Sequence, residues 1–293
     1  MSDKKSNDIL YENIAYCSER IDLSQKQYRL CVTALAESLC NTSSTDIGGI
    51  YKSFKTIMPN ADGCTYAILF KHIADTYSNL YNNKCDAIAA LLGINEITKA
   101  GSHGRISYVR NRYNDMAYEK FSKIIRNMKF SYVSSFAQAC DDVISGNSEY
   151  AILPVENSSD GRLFGFYSLL DRYELRICGV TELDTDDDTA SDIRLALVGR
   201  TLPKRIQNDS ICDIEFSIAR EDGKKLIDLL SAAGEFSAVP RKIDTLPLEY
   251  DHDLYRYYFT FRLPCSEAYA LALYLSYEYP NYTPIGFYPI QNI

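Results

Sequence analysis

The spacing of apolar residues predicts helices in the first hundred residues. Apolar side chains recur every three or four positions, as in the run from Leu30 to Leu39, and this is the period of an amphipathic helix. Ser24 is expected to cap that helix, and helical runs follow at 47–58, 64–80 and 85–92. Residues 1–100 are therefore predicted to form a helical bundle.

Strand and helix patterns alternate from residue 103 to residue 203. Short apolar strands are predicted at 106–109, 130–133, 150–154, 175–181 and 193–198. Helical periodicity falls between the first four of them, at 113–128, from a cap at Ser134 or Ser135 through Val143, and at 161–170. Such alternation is typical of βαβ units, so this region is predicted to be one α/β lobe with a largely parallel sheet.

The last region, 210–293, has the predicted order strand, helix, strand, strand, helix, strand, which is that of the ferredoxin-like βαββαβ unit. Its third strand, 254–263, carries aromatic residues on both faces, whereas a single small sheet has helices on only one face. We therefore expect a second copy of the chain to cover the other face, in a homodimer formed through this domain. The whole chain is predicted to be a multidomain α/β and α+β protein.

The overall composition disfavours several classes of partner. Hydrophobic residues make up 46% of the 293 residues, which is typical of folded globular chains. The net charge of -8 disfavours binding to nucleic acid and to anionic membrane surfaces. No apolar run approaches the roughly 20 residues of a membrane helix, and the polar N-terminus has no signal core. These features predict a cytoplasmic location.

The cysteines and histidines give no metal-binding pattern. The nine cysteines are odd in number, scattered and without a Cys-x-x-Cys pair, and the three histidines share no ligand spacing. An acidic run at 184–188 is interpreted as a solvated loop, because it lacks the spacing and the glycine of an EF-hand. We therefore expect reduced cysteines, no bound metal and no cofactor.

A polar turn after one buried strand is the candidate site. The predicted strand at 150–154 leads into residues 156–161, Glu-Asn-Ser-Ser-Asp-Gly, and then into a predicted helix. Ligands bind beyond the carboxyl ends of parallel strands, and helix N-termini favour anions. An ordinary capping turn uses the same residue types, so the residues alone leave both interpretations open.

This turn resembles a known signature. Residues 153–161, Leu-Pro-Val-Glu-Asn-Ser-Ser-Asp-Gly, are similar to the Pro-Ile-Glu-Asn-Ser-x-x-Gly motif of prephenate dehydratases, and residues 132–136 and 169–179 resemble the segments that flank it. The resemblance implies a periplasmic-binding-protein-like lobe and an enzyme that converts prephenate to phenylpyruvate, carbon dioxide and water. The implied substrate-binding residues are Glu156, Asn157, Ser158 and Gly161.

The last region resembles the ACT regulatory domain that follows the dehydratase domain in that family. Residues 242–247, Lys-Ile-Asp-Thr-Leu-Pro, stand where the family has Ile-Glu-Ser-Arg-Pro. The resemblance implies effector-binding roles for Asp244, Thr245 and Pro247. The replacement of Glu, Ser and Arg puts phenylalanine binding in question.

Two departures from the family bear on catalysis. The family has a second lobe between the strand near Gly179 and a Thr-Arg-Phe strand, but here only residues 180–192 lie between them. A connection of this length is too short for an independent lobe. Ile193-Arg194-Leu195 stands at the Thr-Arg-Phe position, so Arg194 is retained as a substrate-binding candidate and the threonine hydroxyl is lost.

The resemblance and the departures together predict a prephenate-dehydratase-like protein of phenylalanine metabolism that is catalytically impaired. It is expected to bind a small aromatic or pre-aromatic carboxylate, as a ligand-binding or regulatory protein. One alternative is an active dehydratase whose missing lobe comes from the helical region or from a partner subunit. Another is a chorismate-mutase-like activity in the helical region, where bifunctional family members carry such a domain. The match to it is limited to residues 19–22, Glu-Arg-Ile-Asp.

Overall fold

The N-terminal region consists of helices, as the sequence predicts. A computed structural model describes the chain at 2–42, 46–77, 96–97, 104–125, 128–157, 161–162, 164–183, 193–202, 211–219, 226–248 and 251–290. Helix α1 spans Ser2–Thr42, α2 spans Ile47–Ile57 and α3 spans Gly63–Tyr77. The helix predicted at 85–92 lies outside the described residues.

The predicted helix start at Ser24 is wrong, because α1 runs through that position without a break. No glycine or proline interrupts residues 2–42. Extending an existing helix adds one hydrogen bond for each residue fixed, whereas starting a new helix is unfavourable. A serine inside a helix costs only a few tenths of a kcal/mol, so propagation prevails over the local capping preference.

The middle region alternates strands and helices. Asn111 and Ser135 cap the first two of its helices, and their side chains accept hydrogen bonds from the backbone N–H groups of Asn114 and Gln138. In chain order the elements are β2 (Arg105–Val109), α4 (Arg112–Ile124), β3 (Lys129–Val133), α5 (Phe136–Ile144), β4 (Tyr150–Asn157), β5 (Gly161–Arg162), α6 (Phe164–Tyr173), β6 (Arg176–Leu183) and β7 (Ile193–Gly199). The short strands β1 (Glu96–Ile97) and β8 (Thr201–Leu202) form a separate parallel pair.

The C-terminal region follows the order of elements that the sequence pattern indicates. Its elements are β9 (Ile211–Ala219), α7 (Leu226–Glu235), β10 (Val239–Leu248), β11 (Asp251–Pro264), α8 (Cys265–Glu278) and β12 (Tyr282–Pro289). The four strands are antiparallel neighbours in the order β10, β11, β9, β12. Alternate residues of β9, Cys212, Ile214 and Phe216, are buried in the same hydrophobic cluster as α8, which packs on this strand.

Strands of the middle and C-terminal regions belong to one large sheet. The strand order is β10-β11-β9-β12-β6-β7-β4-β2-β3, with β5 paired to β4 beside that path. The two regions join where β12 lies parallel to β6, at Gly286 and Ile177. The sheet thus runs across the boundary that the sequence predicts between residues 203 and 210.

One strand of the predicted parallel lobe runs the other way. Strands β3, β2, β4 and β6 share one direction, and β7 is antiparallel between β4 and β6. The sheet of this region is therefore largely parallel, as the sequence predicts, and β7 is the strand that departs from that direction. The reason is length, because residues 184–192 connect β6 to β7 and a parallel neighbour needs a crossover of about a dozen or more residues.

Helices cover both faces of the sheet. On one face lie α4, α7 and α8, with α3 packed on α7 and α8, and α1 packed on α3. On the other face lie α5 and α6. Helix α6 reaches the C-terminal strands, where Tyr167 packs on Tyr258 of β11 with the ring centroids 4.5 Å apart. The chain itself therefore covers the part of this face around Tyr258, for which we expected a second copy.

Two general features bear on the function. None of the helices in the described part of the chain is long and apolar enough to cross a membrane. Among the same residues, no group of three or more His, Cys, Asp and Glu side chains is placed to hold a metal ion. The cysteines within the described ranges are free thiols.

Candidate functional site

The signature segment is the end of a strand and not a strand-to-helix turn. Strand β4 continues through Glu156 to Asn157, and β5 folds back on it, with Glu156 opposite Arg162 and Asn157 opposite Gly161. Helix α6 begins only at Phe164. The predicted helix start at Gly161 is therefore wrong, and a short antiparallel pair occupies its place.

Strand β4 continues past Pro154, beyond the predicted strand end at 154. Proline is rare inside a sheet, because it has no N–H group to donate to a neighbouring strand. Here the pairing of β4 with β7 shifts register between Pro154 and Glu156, and such a bulge tolerates proline. Val155 is fully buried, like Leu153 before it, so the strand keeps its apolar contacts past the proline.

The signature residue Glu156 is held by the C-terminal region. Its Oε2 atom accepts a hydrogen bond from Nζ of Lys242 on β10, at 2.5 Å. Both side chains are partly exposed, Lys242 by 33% and Glu156 by 22%. Lys242 opens the segment 242–247 that resembles an effector site, so the two segments that the sequence marks as candidates are in direct contact.

Arg194 forms a second polar contact between the same two regions. It lies on β7, and its Nη2 atom is 3.1 Å from Oε1 of Glu215 on β9. The same Nη2 atom donates to the hydroxyl of Tyr288 on β12, at 2.5 Å. Tyr288 also donates to Glu215, and the hydroxyl of Tyr167 lies 3.4 Å from the other carboxylate oxygen. Glu215 is fully buried and Arg194 is 11% exposed, so each charge is balanced within the protein.

The electrostatics of this network keep its donors protonated. Burial would lower the pKa of Arg194, but Tyr288, Glu215 and Glu156 outweigh that effect and raise the pKa above its ordinary value. Burial and the neighbouring Glu215 raise the pKa of Tyr288 well above its ordinary value, although Arg194 opposes the shift. The guanidinium and the phenol therefore act as hydrogen-bond donors to Glu215 at neutral pH.

Further polar side chains of the C-terminal strands pair among themselves. Asp213 accepts hydrogen bonds from Nε and Nη2 of Arg262, at 2.9 and 3.0 Å. Nη1 of Arg256 donates to the hydroxyls of Ser217 and Thr283, at 3.2 and 3.1 Å. Strand alternation places these groups on the same face as Glu215. That face of the C-terminal sheet is therefore polar and internally bonded.

The other signature candidates are described only in part. Gly161 pairs with Asn157 in the β4–β5 hairpin. The side chain of Asn157 and the whole of Ser158 lie outside the described residues. Substrate-binding roles for these three residues stay predictions.

The effector candidates lie on β10, next to Lys242. Asp244 is two residues further along and shares the face of Lys242, because side chains alternate along a strand. Thr245 is exposed and belongs to the opposite face. Pro247 pairs with Tyr255, and its side chain lies outside the described residues. Asp244 is thus the effector candidate closest in register to the Glu156–Lys242 contact.

Sequence reasoning missed Glu215, Tyr288 and Tyr167. The order Cys-Asp-Ile-Glu-Phe over 212–216 does indicate a strand with one polar face. Such a pattern ordinarily indicates a face in contact with water. The partners of Glu215 come from α6, β7 and β12, and no local spacing connects those segments.

A comparison with known protein families matches the region that contains β4. Residues 110–189 match the family model of prephenate dehydratase. The prephenate dehydratase match includes the signature strand and ends before Arg194. A search of curated proteins finds no match for the chain.

A comparison with solved structures finds matches that include prephenate dehydratases. The enzyme from Streptococcus mutans is 18% identical with a TM-score of 0.53, over 64% of this chain and 100% of that chain. A prephenate dehydratase from Arthrobacter aurescens in complex with L-Phe is 12% identical with a TM-score of 0.49, over 63% and 89%. GqqA, described as a novel type of quorum quenching acylase, is 19% identical with a TM-score of 0.49, over 65% and 97%. The comparison with the Streptococcus enzyme shows a prephenate-dehydratase-like fold.

Proposed function

We propose that this chain is a prephenate-dehydratase-like protein of phenylalanine metabolism that binds a small aromatic or pre-aromatic carboxylate without efficient turnover of prephenate. The observation that carries the proposal is the 2.5 Å contact between Glu156 and Lys242. It joins the segment that resembles a substrate site to the segment that resembles an effector site. A ligand bound at one segment then affects the other segment through this contact, which is what regulation requires.

Three features support the loss of catalysis. Ile193 stands where the resemblance has a threonine hydroxyl. Arg194 is neutralised by the buried Glu215, and withdrawing it to hold a substrate carboxylate would leave that charge unpaired, at a cost of about 3–5 kcal/mol. The connection at 184–192 is too short to fold the second wall of a cleft.

The exposure of Lys242 supports a carboxylate ligand. Its ion pair with Glu156 is partly open to solvent and is worth about 1 kcal/mol or less, so a ligand carboxylate can compete with Glu156. Tyr258 pairs in register with Asp244, two residues from Lys242, but it is only 5% exposed and belongs to the buried face of the sheet. Tyr167 packs on Tyr258. The partly exposed cation therefore supports the carboxylate of the proposed ligand, and the ring of the ligand is taken from the family resemblance.

In this proposal, residues 103–203 form the dehydratase-like lobe and residues 210–293 form an ACT-like regulatory domain. The helical region, 1–100, packs through α3 on the helices of the last region, α7 and α8. Binding rests on side chains of the chain itself and uses no cofactor. The cell compartment expected is the cytoplasm.

The test is a thermal-shift panel of prephenate, chorismate, phenylalanine and tyrosine on the full-length protein. A ligand that binds the native state raises the melting temperature. At least one of the four should do so, and Lys242→Met should abolish the rise. Lys71→Met is the matched control, because Lys71 pairs with Glu267 at 3.2 Å and the two side chains are 32% and 26% exposed. The absence of a shift with all four compounds would contradict the binding proposal.

Prephenate turnover tests the catalytic part separately. Phenylpyruvate should form no faster than in the absence of protein at neutral pH. Rapid turnover that disappears in Asn157→Ala would replace the proposal with an active dehydratase. Rapid conversion of chorismate to prephenate would move the activity to the helical region.

A further inference from the structure

The N-terminal half of α1 presents large apolar side chains to solvent. Residues 13–31 are exposed throughout. The six large apolar side chains in this stretch are 46–69% exposed and are Ile14, Tyr16, Ile21, Leu23, Tyr28 and Leu30. Helices in water owe most of their stability to packing of an apolar face, so this part of α1 is expected to pack against another protein surface.

The six side chains form two stripes with a seven-residue spacing. One stripe is Ile14, Ile21 and Tyr28, and the other has the same spacing and begins two residues later, at Tyr16. Two residues turn a helix by about 200°, so the stripes lie about 160° apart, on opposite sides. A seven-residue apolar repeat is typical of helices that pack lengthwise on other helices. Apolar residues on both sides indicate a helix that lies between two packing elements.

The face of α1 that carries the first stripe, Ile14, Ile21 and Tyr28, becomes buried toward the C-terminal end of the helix. Val32, Ala36 and Cys40 follow on that face, and they are 2%, 0% and 6% exposed in the cluster that includes α3. Where the exposed half begins, a groove of about 840 Å³ lies between α1, α3 and the end of α7. Ile21 and Ile68 contribute apolar surface to this groove.

We propose that a second copy of this chain covers the exposed half of α1, with the α1 helix of each copy packed on α1 and the groove of the other. A second copy fits this surface because each chain carries both the apolar helix and the groove. In a two-fold symmetric dimer, the helix and the groove of each chain are then both buried against the other chain. If a fully exposed side chain of this size presents about 180 Å², the six present roughly 650 Å² per copy and about 1,300 Å² in two copies, within the range of stable interfaces.

This interface differs from the one expected for the C-terminal sheet. On that sheet, α6 already covers the strand face around Tyr258, where Tyr167 packs. The α1 interface is also independent of ligand binding at Lys242, which lies on β10. A failure of the ligand panel therefore leaves the assembly proposal untouched.

Sedimentation velocity of the full-length protein at micromolar concentration tests the proposal. The wild type should sediment as a dimer. Ile21→Glu should sediment as a monomer of half that mass, because a buried glutamate at the centre of the stripe opposes association. Ile227→Glu, at a 65% exposed residue of α7, is the matched control and should stay dimeric. Near-ultraviolet circular dichroism should show that the body of Ile21→Glu keeps its packed tyrosines. A monomeric wild type, or a dimer that survives Ile21→Glu, overturns the proposal.

Two exposed cysteines give a second measurement. Cys17 and Cys31 lie on the exposed half of α1. A bifunctional maleimide should join α1 helices of two copies through these thiols, as identified by peptide mass spectrometry. The product should be lost in Ile21→Glu and kept in Ile227→Glu. A dimeric wild type that yields no such product overturns the proposal.

Discussion

Gly286 of β12 lies so close to Ile177 of β6 that a Cβ atom at Gly286 would stand 2.5 Å from the Cβ atom of Ile177 and 3.0 Å from its carbonyl oxygen. These two residues are the register pair that joins the C-terminal strands to the middle region. The close approach makes the continuous sheet depend on a glycine at this position.

Gly286→Ala should therefore destabilise the protein. The added methyl group meets the backbone as well as the side chain of Ile177, and overpacking of this kind costs about 1–3 kcal/mol. Urea unfolding should show a lower midpoint. Gly234→Ala in α7 is the control, because its Cβ meets nothing within 4 Å, and alanine in a helix is favoured over glycine by about 1 kcal/mol. Equal stability of Gly286→Ala and the wild type would contradict the tight junction.

The sequence pattern correctly predicted helices and strands whose ends are set by local interactions. Helix α8 lies at Cys265–Glu278, at the place that the predicted order of elements gives it. The apolar run at 268–275 and the absence of glycine and proline from 265–278 favour a helix there. Errors arose where tertiary packing overrides a local signal. Pro154 signals a strand end, yet the buried Val155 keeps β4 in the sheet. Ser24 signals a helix start, yet it lies inside α1.

Sequence analysis identified the site residues of the middle region and missed the contacts that they make with the C-terminal strands. Glu156 and Arg194 could be named because a resemblance marks their positions, and the structure places them opposite each other in β4 and β7. Their partners Lys242 and Glu215 lie on strands beyond residue 210. Which strands of a sheet become neighbours depends on long-range packing, so the partners could not be read from local spacing.

The Arg194–Glu215 pair should respond strongly to removal of one partner. Glu215→Gln leaves a cation that is 11% exposed without its anion, and we expect a loss of about 3–5 kcal/mol in the free energy of unfolding. Arg194→Met combined with Glu215→Gln should recover a large part of that loss, because no buried charge then remains. Urea unfolding of the two single variants and the double variant measures the coupling.

Asp213→Asn provides the control for this pair. Asp213 also bonds an arginine, but Arg262 is 35% exposed and water can solvate it when the anion is removed. The loss should therefore be clearly smaller than for Glu215→Gln. Equal losses in the two variants would show that burial of Arg194 does not determine the strength of the pair.

The Glu156–Lys242 pair should contribute little to stability, in contrast to its proposed role in ligand binding. Both side chains are partly exposed, so Lys242→Met and Glu156→Gln should each change the free energy of unfolding by about 1 kcal/mol or less. High salt should reduce the coupling between them in a double-mutant cycle. A coupling of several kcal/mol would mean that the contact serves stability and is not readily exchanged for a ligand.

Alkaline pH should destabilise the protein through its buried tyrosines. Burial raises the pKa of Tyr279 to about 12, and the hydrogen bond with Tyr274 offsets this only in part. The phenol of an unfolded chain titrates near pH 10, so the folded state retains the proton over a higher range than the unfolded state. The resulting contribution to stability is complete below about pH 10 and is lost as the pH rises to about 12. Urea unfolding at a series of pH values should show this decline, and Tyr279→Phe should make it shallower. Tyr255→Phe, at a side chain that is 39% exposed, is the control. An identical decline in Tyr279→Phe and the wild type would exclude Tyr279 as a source of the pH dependence.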